Sequence, residues 1–181
     1  MAVGLTKRDV ALWQFAGFAV AAFVGTLLHF LYDWSGKSTV TAPFSAVNES
    51  TWEHLKLLYF PLFIFALVQS RFFTDFGNFW WVKLVSTVAG LILIPILFYT
   101  YNGAFGRSPD WLNIAIFFIS AVVVFALEYW AFKNDLFQYK NGWVAFAALC
   151  VIGVLFAVFT FATPKLPLFE DPMTATYGVE N

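Results

Sequence analysis

Five apolar runs, each close to the roughly 20 residues a helix needs to cross a bilayer, decide what this chain can fold into. They span about Val10–Tyr32, Thr51–Ser70, Phe79–Tyr101, Trp111–Phe132 and Trp143–Ala162. None alternates apolar and polar residues as a membrane-barrel strand does. A helix satisfies all its backbone groups internally, which lipid demands. The expected fold is therefore all-α: an integral membrane bundle of five transmembrane helices, one domain over residues 1–181. Polar connections separate the runs, and Trp34, Trp80, Trp81, Trp111, Trp130 and Trp143 gather at their ends. Amphipathic rings favour that headgroup zone.

Composition agrees. Only 12% of residues are charged, about half the roughly 25% of soluble chains. Net charge is -1 with no basic tract, so nucleic-acid binding has no electrostatic basis and the lipid bilayer is the expected partner. The single Cys150 excludes an intrachain disulfide and a CxxC motif. Lys7 and Arg8 precede a run too long for the roughly 7–15 apolar residues of a cleavable signal, so that run is read as a retained first helix. Lys7, Arg8, Arg71, Lys83, Lys133 and Lys140 fall on the N-terminal side, against Lys37, Lys56, Arg107 and Lys165 on the other. The excess predicts a multi-pass cell-membrane protein with a cytoplasmic N-terminus and an extracytoplasmic C-terminus.

Between the first two runs lies Asn48-Glu49-Ser50-Thr51-Trp52-Glu53-His54-Leu55-Lys56, two carboxylates, an imidazole and an ammonium in nine residues. Charge beside lipid is costly, which makes such a cluster a functional candidate. On the first helix Gly17, Ala21 and Gly25 recur every four residues, a spacing that lets a neighbouring helix approach closely. The same row continues into His29 and Asp33, neighbours one turn apart. Because one loop joins these helices, His29–Asp33 and Glu49–Lys56 must share a membrane side. The candidate metal ligands are His29, Asp33, Glu49, Glu53 and His54, with Lys56, Asn48 and Tyr32 as ion-pair or supporting groups. Imidazole with carboxylate suits divalent zinc, iron or manganese. HExxH is absent, and two histidines exclude a multi-histidine di-iron site.

A second reading explains the same residues structurally. Ser50 with Glu53 reads as a capping box, Asp33 can pair with Lys56, and His29 can bond a backbone carbonyl. Glu49 and Glu53, four apart, would repel unless a cation, a proton or Lys56 intervenes. Pro61 and Pro95 are expected to kink their helices, freeing the carbonyls of Leu57 and Leu91. Glu128, near a helix end, is expected to snorkel to the interface, with Lys83 within pairing reach. No GxSxG, P-loop, GxGxxG or haem-attachment motif occurs, so no catalytic residue or organic cofactor is assigned.

With His29, Tyr32, Trp34 and the run Val47–Lys56 in hand, the chain resembles a small bacterial family of polytopic membrane proteins, a domain of unknown function. The ending Pro167-Leu168-Phe169, Asp171-Pro172, Thr174, Thr176, Tyr177, Gly178 is similar to that family's. The resemblance implies a polytopic membrane fold and supplies no activity. Residues 163–181 carry three prolines and cannot form a sixth span; Leu168, Phe169 and Tyr177 predict a tail folded back over the extracytoplasmic face. Three functions follow: a metal-binding enzyme or sensor, an accessory subunit binding a membrane-protein partner or its own copy, and a small proton- or cation-coupled transporter. Almost wholly apolar helix interiors rank transport last.

Overall fold

The computed structural model describes residues 5–179. Five helices run in order: α1 Lys7–Trp34, α2 Thr51–Gln69, α3 Phe79–Phe105, α4 Asp110–Lys133 and α5 Gly142–Phe161. Each is long and apolar enough to cross a membrane, and among the described residues no β-strand forms, only an isolated bridge between Glu170 and Tyr177. The expected all-α bundle is what the chain adopts. Two ends differ from the hydropathy reading. The first helix starts at Lys7, because Thr6 and Asp9 cap it reciprocally. The third continues to Phe105, where Gly106 turns the chain out at φ 82°.

Apolar on every side, α2 belongs in the middle. Of its most hydrophobic stretch 67% is buried, against 22% for α1 and α5. It touches α1, α3 and α5, while α4 closes the bundle against α1 and α3. The small-residue row makes the α1 contact possible. A Cβ on Gly25 would lie 2.7 Å from the Leu57 carbonyl oxygen and 2.7 Å from the Phe117 ring, and one on Gly17 would strike Phe125 and Phe65. A backbone oxygen cannot step aside. Gly25→Val should therefore lower stability by about 1–3 kcal/mol or more, read as a fall in the thermal midpoint in detergent. Gly103→Ala, which meets nothing within 4 Å, should leave the midpoint in place.

One polar layer is buried in the half of the bundle nearer the N-terminus. Glu128 does not snorkel: it is 1% exposed and accepts from the Lys83 ammonium at 2.5 Å. The reason is packing, since the Lys83 ammonium sits 5.6–5.9 Å from the ring centres of Phe65, Phe79 and Phe125. Helix register brings Gln14 and Gln69, one turn beyond Gly17 and Phe65, to the same depth. Both are buried, and among the described residues neither amide finds a hydrogen-bond partner.

Candidate metal centre

The opposite end of the bundle gathers both histidines with Glu49, Glu53 and Lys56, and a serine begins the arrangement. Ser45, in the connection between α1 and α2, accepts from the Tyr32 amide at 2.8 Å and donates to the Leu28 carbonyl at 2.5 Å. Its hydroxyl thus stands in for the Leu28–Tyr32 helical bond, an insertion that bends a helix locally. The altered turn carries His29. Nothing in the sequence pattern singled out Ser45.

At the start of α2, Ser50 caps the helix by accepting from the Glu53 amide at 3.4 Å. The reciprocal half of the expected capping box is replaced: the Ser50 amide donates to the Asn48 side chain at 3.0 Å. Glu53 instead pairs with Lys56 at 2.5 Å and accepts from the Val47 amide at 3.0 Å. Lys56 donates further to the Ala42 carbonyl and the Thr160 hydroxyl, each at 2.9 Å. Both partners are buried. This pair ties the connecting loop and α5 to α2 and removes the repulsion expected between Glu49 and Glu53.

Freed from Glu53, Glu49 turns to the histidines. Its carboxylate lies 3.4 Å from His54 Nε2 and 3.8 Å from His29 Nε2, with the two rings 5.5 Å apart. One ligand atom from each of His29, Glu49 and His54 lies within 4.8 Å of the others. Asp33 is exposed at the end of α1; Tyr32 and Asn48 act through the backbone around the cluster. The hydrogen bond with His54, helped by the charges of both histidines and opposed by partial burial, holds the Glu49 carboxyl below its usual range.

His54 fixes the chemistry of the group. Its Nδ1 lies 2.9 Å from the Ser50 carbonyl, which can only accept, so Nδ1 carries the proton. Nε2 then faces the Glu49 carboxylate. A neutral ring would point a lone pair at a negative oxygen, an unfavourable meeting that a proton or a cation between them relieves. Metal-bound histidines commonly donate their other N–H to a carbonyl in this way.

The tail holds the loop that carries Glu49. The Glu49 amide donates to Asp171 at 3.2 Å, Asn48 donates to the Gly178 carbonyl at 3.2 Å, and the Trp52 amide donates to the Leu168 carbonyl at 2.9 Å. Asp171 also accepts from the Met173 and Thr174 amides, closing a turn that an Asp-Pro pair favours. Gly178 has φ 61° and no room for a Cβ beside Thr163 and Thr160. A hydrogen bond to Glu170 at 2.8 Å raises the Tyr177 hydroxyl pKa. The tail is an ordered cap on this end of the bundle, clasping the loop by its backbone.

Five apolar helices with one capped, ionisable end define a polytopic helical protein of membrane type. The chain belongs to the family of unknown function DUF6512, which it matches over residues 5–179. No curated protein matches the chain, and no solved structure does.

Proposed function

We propose that His29, Glu49 and His54 bind one divalent cation at the extracytoplasmic face of a multi-pass cell-membrane protein whose N-terminus is cytoplasmic. The observation that carries this reading is the His54 ring, with its Nδ1 proton committed to Ser50 and its Nε2 turned towards Glu49. Two imidazoles and a carboxylate fit zinc, iron or manganese, and three protein ligands leave a position open for water or a substrate oxygen. A four-coordinate ion about 2.0–2.1 Å from each donor would draw the ligand atoms closer than the present 4.8 Å limit, a shift within reach of half-exposed side chains. Glu53 serves the site through Lys56 and the loop, and Asp33 adds negative charge near His29. The class is a metal-dependent membrane enzyme or sensor.

Titrating zinc into metal-stripped protein should raise the thermal midpoint. At 100 times the dissociation constant the gain is about 2.7 kcal/mol, roughly 5–10 °C for a chain of this size. His29→Ala and His54→Ala should abolish the shift. Ligand histidines must be neutral, so the shift should be lost in the window where falling pH protonates the two imidazoles. Glu49 does not set that window. A carboxyl with a depressed folded pKa contributes stability above its unfolded pKa and loses it only as pH falls through the folded one. An equal zinc shift in both histidine variants would refute the site.

A further inference from the structure

An apolar cavity of about 570 Å³ lies between α3 and α5, on the far side of α2 from the histidines. Pro95, which denies the Leu91 carbonyl its helical partner, lines the wall together with Leu91. Ile92, Ile96 and Leu155, also in the wall, are 53%, 54% and 39% exposed, so the cavity opens sideways, towards the hydrocarbon of a surrounding bilayer. From Val88 to Tyr99 the lining follows twelve residues of α3, eleven steps that rise about 16 Å at 1.5 Å per residue. That is half of the roughly 30 Å hydrocarbon core: one leaflet.

We propose that this groove holds a single acyl chain of a membrane lipid, with the lipid's glycerol-ester end at Trp52, Tyr99 and Leu168. Polarity matches that orientation. The deep end is hydrocarbon, whereas the end nearest the tail carries the Tyr99 hydroxyl, which donates to the Pro167 carbonyl at 3.1 Å. Water does not suit an apolar cavity. The seated chain would rest on Leu168, three residues before the Asp171 that holds Glu49. The groove reading is independent of the metal.

The test uses full-length protein in phosphatidylcholine nanodiscs containing a phosphatidylcholine with a mid-chain diazirine. On irradiation, labelling should concentrate on the peptides containing Val88–Tyr99 and Ile152–Phe156. Leu91→Trp or Val88→Phe, which fill the groove, should each cut that labelling at least fivefold. Ile119→Trp, on an outward face of α4, should leave it unchanged. Two groove variants guard against one failing to fold, and the thermal midpoint of each is read alongside. Labelling spread evenly over all exposed helices, or unchanged in a folded groove variant, overturns the proposal. Protection of α3 in protein that runs as a dimer overturns it too, assigning the face to a second copy.

Discussion

Lys83→Met is expected to destabilise the protein by about 3–5 kcal/mol, because it strands the Glu128 carboxylate where it is 1% exposed without a counter-charge. Glu128→Met should cost a similar amount, leaving an ammonium among the rings of Phe65, Phe79 and Phe125. The double variant should recover most of the loss. Two charges taken out of water are only partly repaid by their attraction, and replacing both with apolar residues is often neutral or stabilising. Few other groups depend on this pair: Ser86 approaches Glu128 at 3.4 Å, and it already donates to the Val82 carbonyl. Chemical-denaturation midpoints of the two single variants and the double, in one detergent, measure the cycle. A double variant as unstable as the sum of the singles would show that the layer holds the helices together by more than its own charge balance.

Lys56→Met should also cost about 3–5 kcal/mol, but here the double variant should not recover. Lys56 is the partner of Glu53 and also the donor to Ala42 and Thr160, while Glu53 accepts from Val47. Removing both side chains leaves the buried Ala42 carbonyl unpaired, at about 1–3 kcal/mol, and the half-buried Val47 amide without its acceptor. The loop between α1 and α2 would loosen, taking Glu49 with it. Metal affinity should therefore fall in Lys56→Met although Lys56 touches no proposed ligand. Recovery of full stability in Lys56→Met/Glu53→Met would contradict the staple.

The contrast between these two ion pairs shows what a linear sequence can convey. Glu53 and Lys56 are three apart on one helix, so their meeting is written in their spacing. Lys83 and Glu128 stand 45 positions apart, and hydropathy says nothing about which helix faces meet. Hence Glu128 reads as an interface residue, although the packing of α3 against α4 buries it beside Lys83 and Ser86. The five helices were legible because lipid-length apolar runs admit few alternatives. Their ends were less so: Thr6 with Asp9 extends α1, and Asn102-Gly103 reads as a turn although the helix continues until Gly106.

At the other end, the grouping of His29 with Glu49 and His54 follows from one short loop joining two helix ends. The scaffolding does not. Ser45 works by substituting for a helical hydrogen bond, and Asp171 works through a backbone amide 122 positions away. Neither leaves a periodic or motif signal. Asp33 shares a helix row with His29, yet that row leads out of the bundle end while Glu49 approaches from the loop. Glu53 is taken by the lysine one turn on.

Metal content tests the central claim most directly. Protein purified in detergent without chelator would be analysed by inductively coupled plasma mass spectrometry, wild type beside His54→Ala, Glu49→Gln and Glu53→Gln. The account predicts close to one divalent ion per chain in the wild type. It predicts none in His54→Ala, a strong reduction in Glu49→Gln, and a partial loss in Glu53→Gln, which acts only through the loop. Metal-free wild type that stays metal-free after incubation with zinc, iron(II) or manganese, while remaining folded, would contradict it. The cluster would then be a protonated His54–Glu49 pair that closes the bundle end.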